Sequence, residues 1–169
     1  MKEIMDASSM KRSLVRMAHE IVEKNKGVEG LVLIGIKTRG EFLAERLKTM
    51  IDQFEDCTIP CDSLEISSWR DDGREVDPQK HPLSVSVQDR TVILVDDVLY
   101  KGRTVRAAMD GIMSFGRPRA IHLAVLVDRG HRELPIRADY VGKNVPTSLD
   151  EDVAVLVNEI DGKDGVYIS

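Results

Sequence analysis

The alternation of short apolar runs with helical patterns constrains the fold of this chain more than any other feature. Mostly apolar runs, typical of strands covered on both faces, occupy residues 31–36, 91–95 and 120–127. Apolar residues at helical spacing extend over residues 9–26, 42–51 and 104–115. Strands that alternate with helices form a parallel sheet with right-handed crossovers. The sequence therefore predicts an α/β fold with a central, mainly parallel sheet flanked by helices.

Two further strands are predicted at residues 58–69 and 153–157. A long polar stretch, residues 70–82, follows the first of them and contains Pro78 and Pro82. Loops of this length in a compact domain are commonly functional lids or disordered segments, so we expect a mobile lid over about residues 70–88. The sequence holds no internal repeat and no linker rich in Pro, Gly and Ser, and we predict one domain over residues 1–169.

The formal net charge of −5 is concentrated near the end of the chain. From Asp150 onward six acidic residues accompany a single basic one, Lys163, and the preceding residues hold 23 basic and 23 acidic side chains. A neutral body still carries local basic patches, so the acidic balance does not exclude a polyanionic partner. Aromatic residues make up only 4%, which disfavours recognition by stacking on an aromatic platform.

Cysteine usage and the lack of long apolar runs indicate the compartment. Cys57 and Cys61 are too few for a zinc site or a disulfide framework, as is typical of a reduced compartment. No apolar run approaches the ~18 residues that span a bilayer. The first ten residues lack the charged-then-apolar pattern of an export signal. We expect a cytoplasmic protein without a membrane partner.

The most informative motif is residues 92–104, where a hydrophobic strand ends in two acids and a short loop with Gly102 opens a helix. Unpaired backbone N–H groups and the positive end of the helix dipole meet at such a junction, which suits a phosphate monoester. Asp96 and Asp97 would then face a sugar, accepting from its hydroxyls or favouring a hydrated Mg²⁺. The alternative is an ordinary strand end with two solvated acids and Thr104 as N-cap.

These thirteen residues resemble the phosphoribosyl-pyrophosphate (PRPP) loop of type I phosphoribosyltransferases. Almost the whole chain is similar to the PyrR family, the pyrimidine operon regulators that also act as uracil phosphoribosyltransferases. The matching segments are residues 18–20, 25–27, 35–40, 70–72, 126–140, 142–144 and 146–148. The resemblance implies the type I phosphoribosyltransferase fold, with its lid or hood region, and uracil phosphoribosyltransferase activity. It also implies binding of a pyrimidine-operon mRNA stem-loop in response to UMP or UTP, no DNA partner, and a homodimer or larger homo-oligomer.

The resemblance assigns roles to individual residues. Catalytic roles fall to Asp96 and Asp97 on the ribose hydroxyls and to Arg39 on the leaving pyrophosphate. The PRPP- or UMP-binding set comprises Thr38, Arg39, Gly40, Arg70, Asp96, Asp97, Val98, Leu99, Tyr100, Lys101, Gly102, Arg103, Thr104, Val127, Asp128 and Arg129. Within this set residues 38–40 form the pyrophosphate loop, residues 101–104 hold the 5′-phosphate and residues 127–129 border the base. Mg²⁺ is the implied cofactor, carried mainly by PRPP and lying near the two aspartates.

The implied reaction displaces pyrophosphate from the anomeric carbon by uracil through an oxocarbenium-like state. It requires no protein nucleophile, and the sequence offers no Ser/His/Asp or Cys/His candidate set. The implied contributions of the enzyme are positioning, neutralisation of the pyrophosphate and exclusion of water by the lid. Arg39 suits the leaving group because its planar fork binds phosphate at two points.

Lys101 departs from the family pattern, which has Thr at this position of the loop. A Thr hydroxyl offers phosphate a compact hydrogen bond worth about 1.5–3 kcal/mol, whereas Lys101 either binds phosphate from a distance or projects from the loop. The chain is therefore either a bifunctional protein or an RNA-binding regulator whose nucleotide-sensing pocket is catalytically weak. A second departure is the pair Ser68–Trp69 ahead of Arg70, and we expect Trp69 to pack beneath the lid.

The resemblance also places an RNA-binding surface, basic and concave, at a subunit interface. Its matching residues are Arg16, His19, Arg132, Arg137 and Lys143. Arg16 and His19 follow the polar face of the first predicted helix, for which ordinary solvation is the alternative. Arg132 and Arg137 flank a stiff Leu-Pro-Ile segment, which suits phosphates and base edges. A uracil phosphoribosyltransferase without RNA binding remains open. The acidic end of the chain either keeps the outer surface soluble or repels RNA from the other faces.

Overall fold

The structure, a computed structural model, describes residues 1–71 and 82–169. Its helices are α1 Ala7–Lys24, α2 Arg39–Glu55, α3 Arg103–Ser114 and α4 Asn158–Asp161. Its strands are β1 Lys2–Met5, β2 Leu31–Ile36, β3 Cys61–Leu64, β4 Thr91–Leu99, β5 Ala120–Asp128, β6 Tyr140–Asn144, β7 Val153–Leu156 and β8 Gly165–Ile168. A 3₁₀ turn covers Ser67–Trp69.

Five of the strands form a parallel sheet in the order β3-β2-β4-β5-β6. Successive side chains of a strand point to opposite sides, so these apolar strands present apolar residues on both faces of the sheet. Helices cover both faces. Leu33 and Ile93 pack with the buried residues of α1 and α2, whereas Val32 and Leu94 pack with those of α3. All six residues of β2 are buried. The predicted α/β fold, with a mainly parallel sheet flanked by helices, is confirmed.

The acidic end of the chain folds onto the body instead of forming a solvated tail. Strands β1, β8 and β7 form a second, antiparallel sheet, and α4 lies between β7 and β8. Arg46 of α2 pairs with Glu159 and, at 2.7 Å, with Asp164. Asp161 pairs with Arg39 at the start of the same helix. The sequence left open whether these acids keep the surface soluble or repel RNA. In the structure, three of them pair with arginines of α2.

Two of the predicted strands have different lengths in the structure. The strand predicted over residues 58–69 is wrong beyond its centre: only β3 is extended, and the chain then turns so that Trp69 packs edge-on against Phe115 at 5.9 Å and beside Gly111 of α3. Strand β4 continues past its predicted end at residue 95, because β5 pairs with it as far as Asp128. Asp96 and Asp97 therefore lie within a strand.

The structure describes only part of the predicted lid. Its residues 72–81 lie outside the described residues. After them, the backbone N–H of Ser84 donates to Asp62 at 2.6 Å and Val87 is buried against the α3 side of the core, so this end of the segment packs on the body. In the described part of the chain, no helix is both long and apolar enough to cross a membrane.

Candidate active site

The candidate site lies at the carboxyl ends of neighbouring parallel strands. From β2 the chain moves outward to β3, and then returns to β4 and continues to β5 and β6 on the other side. Open α/β sheets bind ligands at such a reversal of strand order. The apolar runs predicted as strands over residues 31–36, 91–95 and 120–127 belong to the adjacent parallel strands β2, β4 and β5. Their carboxyl ends therefore lie at one edge of the sheet.

The segment between β4 and α3 forms a cradle whose backbone faces a cavity. Gly102 is the N-cap of α3, with φ +94°, a left-handed conformation that glycine adopts without steric cost. No side chain caps the helix, which leaves its first amides without a side-chain acceptor. A cavity of about 340 Å³ is lined by Arg70, Asp71 and residues 98–105. The loop therefore presents a helix N-terminus to a space large enough for a phosphorylated sugar.

The two aspartates within the second half of β4 differ in environment. Asp96 is 7% exposed and accepts a hydrogen bond from the backbone N–H of Asp97 at 2.8 Å. Asp97 is half-buried and accepts from the N–H of Val98 at 2.7 Å. Burial, together with the charge of Asp97, raises the pKa of Asp96 well above its usual range. The alternative of two solvated acids with Thr104 as N-cap is wrong on both counts, since Asp96 is buried and Gly102 caps the helix.

The pyrophosphate loop predicted at residues 38–40 begins α2 and abuts β4. A Cβ atom on Gly40 would lie 2.5 Å from the carbonyl oxygen of Val95 and 3.2 Å from the Cα of Asp96. Glycine at this position therefore allows the backbones of α2 and β4 to touch, so that the first turn of α2, which begins at Arg39, lies against the backbone of Val95 and Asp96. The peptide bond between Lys37 and Thr38 is cis, and Thr38 is exposed.

A chain of charges links the loop between β4 and α3 to the segment after β5. Arg103 donates through Nε to Glu133 at 2.9 Å and through Nη1 to Asp71 at 2.7 Å. The Lys101 ammonium lies 4.0 Å from the same Glu133 carboxylate, and the Glu133 N–H donates to the Lys101 carbonyl at 2.8 Å. Lys101 thus faces Glu133 from an exposed position at the rim of the cavity.

Residues 127–129 hold the neighbouring loops together. Val127 is buried, and Asp128 accepts from the N–H of Gly130 at 3.0 Å and pairs with Arg132. Arg129 is 5% exposed, lies 4.0 Å from the Tyr100 ring centroid, and donates to the carbonyl of Glu151 at 2.6 Å. Its Nε is buried without a hydrogen-bond partner. These side chains thus support Tyr100 and the loop around residue 151, at the edge of the site where the base is expected.

The candidate RNA-binding residues are all exposed and fall into two groups. Arg16 donates to the carbonyl of Gly142 at 2.6 Å, and with Arg12 and Lys143 it lines a cavity of about 350 Å³ between α1 and β6. His19 stacks on Phe54 of α2, with the two ring centroids 4.0 Å apart.

The second group lies in the segment between β5 and β6. Arg132 is tied to Asp128, and Arg137 is exposed beyond Ile136. Because Asp128 pairs with Asn144, Arg132 and Lys143 lie at the same end of β5 and β6. The structure thus brings Arg16 and Lys143 to the same cavity.

Sequence reasoning missed three residues of this region. Arg12 lines the same cavity as Arg16, and the helical spacing of the two was the available signal. Glu133 pairs with Lys101 and Arg103, and Asp161 pairs with Arg39. No local pattern predicts either pair, since the partners are 30 and 122 residues apart along the chain.

Comparison with known proteins agrees with this geometry. The family model of the phosphoribosyl transferase domain matches residues 1–157. The hypoxanthine phosphoribosyltransferase of Trypanosoma cruzi superposes with a TM-score of 0.77 at 18% identity, covering 99% of this chain and 95% of that one. A hypoxanthine phosphoribosyltransferase from Staphylococcus aureus gives 0.75 at 20% identity, covering 98% and 89%. The fold and the site thus define a phosphoribosyltransferase.

Closer relatives narrow this class. The chain is 55% identical over 173 residues to the "Bifunctional protein PyrR" of Ligilactobacillus salivarius, covering 99% of this chain and 97% of that protein. It is 56% identical over 171 residues to the protein of the same name from Enterococcus faecalis strain V583, covering 99% and 96%. The chain belongs to the PyrR family.

Proposed function

We propose that the chain binds a stem-loop of pyrimidine-operon mRNA in response to UMP or UTP, and that it also converts uracil and PRPP to UMP and pyrophosphate. The observation that carries the proposal is the cavity that follows β4 at the reversal of strand order, which the N-terminus of α3 faces without a side-chain cap, with Asp96 and Asp97 just before its lining residues in the chain. The relatives named above are called bifunctional, which supports two activities. We further infer a cytoplasmic homodimer or larger homo-oligomer, with no DNA or membrane partner.

Different site residues bind different parts of PRPP. Residues 101–104 hold the 5′-phosphate at the start of α3, where backbone N–H groups and the helix dipole favour an anion. Asp96 and Asp97 accept from the ribose hydroxyls, and Arg39 binds the leaving pyrophosphate. The anomeric C–O bond breaks as the uracil N1 forms its bond to the same carbon, and the N1 proton is lost. Positioning and charge neutralisation supply the acceleration.

Magnesium fits this donor set as a companion of the substrate. Among residues 1–71 and 82–169, no group of three or more His, Cys, Asp or Glu side chains could hold a metal ion. Mg²⁺ is commonly bound by one or two carboxylates together with substrate phosphates, which Asp96, Asp97 and PRPP can provide. When bound, it would neutralise pyrophosphate charge and stabilise its departure.

The basic residues around α1 and β6 support the RNA-binding half of the proposal. Arg12, Arg16 and Lys143 converge on one cavity although the chain as a whole is acidic. Cations that contact phosphates make affinity fall steeply with salt concentration. With few aromatic residues, a folded RNA would be recognised by its shape, its backbone and a few base edges.

The position of Lys101 favours one alternative, a nucleotide-sensing regulator with weak catalysis. Its ammonium is exposed and faces Glu133 at 4.0 Å, so in this arrangement it does not replace the compact Thr hydroxyl of the family. This alternative predicts RNA binding that depends on UMP, with little formation of UMP from PRPP. A phosphoribosyltransferase without RNA binding predicts the opposite combination.

The test measures both activities on the same protein. UMP formation from labelled uracil and PRPP is followed with Mg²⁺ and with EDTA, and filter binding to a pyrimidine-operon stem-loop is followed with and without UMP. We expect Mg²⁺-dependent turnover, together with RNA affinity that UMP strengthens and that Arg16→Ala weakens. Turnover seen only in Lys101→Thr would support the weak-catalysis alternative. Turnover without specific RNA affinity would refute the regulatory half of the proposal. The absence of both activities would overturn the whole proposal.

A further inference from the structure

The pairing of Arg39 with Asp161 connects the C-terminal hairpin, β7–α4–β8, to the predicted pyrophosphate site. Arg39 Nη2 lies 2.9 Å from Asp161 Oδ1, and Arg39 Nε lies 3.3 Å from Oδ2. This two-point contact uses two of the five guanidinium N–H groups and leaves the opposite edge of the guanidinium for other acceptors. The contact therefore fixes the plane of the guanidinium without consuming its capacity to bind phosphate.

Asp161 is itself held by the hairpin. Its Oδ2 accepts from the backbone N–H of Val157 at 2.8 Å, and its own N–H donates to the Val157 carbonyl at 2.8 Å. Its side chain is 16% exposed, against 34% for Arg39. The hydrogen bonds from Arg39 and from the Val157 amide hold the pKa of Asp161 below its usual range, so the carboxylate stays charged at neutral pH.

The hairpin is in turn clamped to α2. Arg46, two helical turns after Arg39, pairs with Glu159 and Asp164, which lie on either side of Asp161 in sequence. The side chain of Arg46 is 21% exposed, so this clamp is largely shielded from solvent. The carboxylate that orients Arg39 thus sits on a support that is fixed to the same helix as Arg39.

We infer that Asp161 is a positioning residue that orients Arg39 for the pyrophosphate of PRPP. The inference rests on the proposed function and names a determinant of substrate binding outside the loops at the strand ends. An Arg side chain that is one-third exposed must lose rotamer freedom when it binds a ligand, and the contact with Asp161 removes that freedom beforehand. If the Asp161 charge instead acted mainly by repelling pyrophosphate, its removal would strengthen PRPP binding. The sign of the change in PRPP affinity therefore tests the inference.

The experiment compares Asp161→Asn with wild type and with Asp152→Asn, an equal change of charge at an exposed residue just before β7. We expect Asp161→Asn to raise the KM for PRPP and the inhibition constant of pyrophosphate about three- to tenfold, the range of one immobilised side chain. UMP carries no pyrophosphate, so its Kd by calorimetry should change less than twofold. Asp152→Asn should match wild type throughout, and Asp161→Glu should recover part of the PRPP affinity.

Three results would decide against the inference. Unchanged or tighter PRPP binding in Asp161→Asn would show that the carboxylate does not position Arg39. If Asp161→Asn lost as much affinity for UMP as for PRPP, the substitution would have disturbed the whole site. In that case Asp161→Glu would not recover PRPP affinity selectively. A wild-type protein that binds UMP but forms none from uracil and PRPP would instead refute the enzymatic part of the proposed function, and the inference with it.

Discussion

Replacing Gly40 by Ala tests whether the contact between α2 and β4 places Arg39. The added Cβ would lie 2.5 Å from the Val95 carbonyl oxygen, whereas Cβ atoms in proteins essentially never approach closer than 3.0 Å. The two nearest residues, Val95 and Asp96, meet this Cβ with backbone atoms of a buried strand, so α2 has to retreat by about half an ångström. The first turn of α2 carries Arg39, which moves with it.

The magnitude follows from this displacement. Overpacking of a well-packed interior costs about 1–3 kcal/mol. A protein of this size loses roughly 2–4 °C in Tm per kcal/mol, so we expect a Tm lower by about 2–12 °C. A misplacement of 1 Å costs about 100-fold in rate, so half of that should lower kcat/KM for PRPP about tenfold at 25 °C, where the variant is still folded.

The control is Gly116→Ala, whose Cβ would lie nearest to the side-chain atoms Val87 Cγ2 at 3.2 Å and Gln88 Oε1 at 3.3 Å, with the backbone nitrogen of Gln88 at an ordinary contact distance of 3.6 Å. It should keep its activity with a small change in Tm. Thermal unfolding and steady-state kinetics with PRPP as the varied substrate measure both effects. If Gly40→Ala retained the kcat/KM of Gly116→Ala, the close approach of α2 and β4 would not be what positions Arg39.

Three further predictions concern the charges and thiols. Lys101→Thr should change kcat/KM by less than about fivefold, because the bifunctional interpretation requires the Lys101 ammonium to bind phosphate from a distance and so offset the missing Thr hydroxyl, and the exposed Lys101–Glu133 pair that is lost is worth only about 0–1 kcal/mol; a gain of about tenfold or more would show that Lys101 does not offset that hydroxyl. Arg46→Met should be less stable than wild type above about pH 4.5, the ordinary pKa of Glu, because Arg46 lowers the folded-state pKa values of Glu159 and Asp164. This advantage of wild type declines as pH falls through those lowered values, so urea unfolding should show a larger gap at pH 7 than at pH 3. Burial raises the pKa of Cys61 to about 12 and also raises that of Cys57, so both thiols should react with a disulfide reagent at pH 8 far more slowly in the folded protein than in urea.

Local pattern was sufficient to predict the frame of this site. The apolar runs of β2, β4 and β5 and the helical stripe of α1 depend on nearby residues, and their meeting at one sheet edge follows from parallel topology. The junction at Gly102 was recognisable because its backbone geometry is specified by adjacent residues. The roles that the resemblance gives to residues such as Thr38 and Arg137 stay predictions.

What the sequence left open depends on pairing between distant segments. Strands β1, β6 and β8 have four or five residues each, with mixed polarity, and their pairing partners fix them as strands. The predicted strand over residues 58–69 was too long because its apolar residues pack on α3 after the chain turns. The role of the acidic segment depends on Arg39 and Arg46, more than 100 residues earlier.

The small sheet also has a consequence for biosynthesis. Strand β1 leaves the ribosome long before β8, with which it pairs, so the two can meet only when nearly all of the chain described here has been made. The five strands of the parallel sheet precede the hairpin in the chain and are available to assemble earlier. A nascent chain would then hold a formed phosphate cradle with Arg39 still unsupported. If Asp161 positions Arg39, translation of the hairpin is the step that completes the site, and chains cut short before Asp161 should bind UMP better than they bind PRPP.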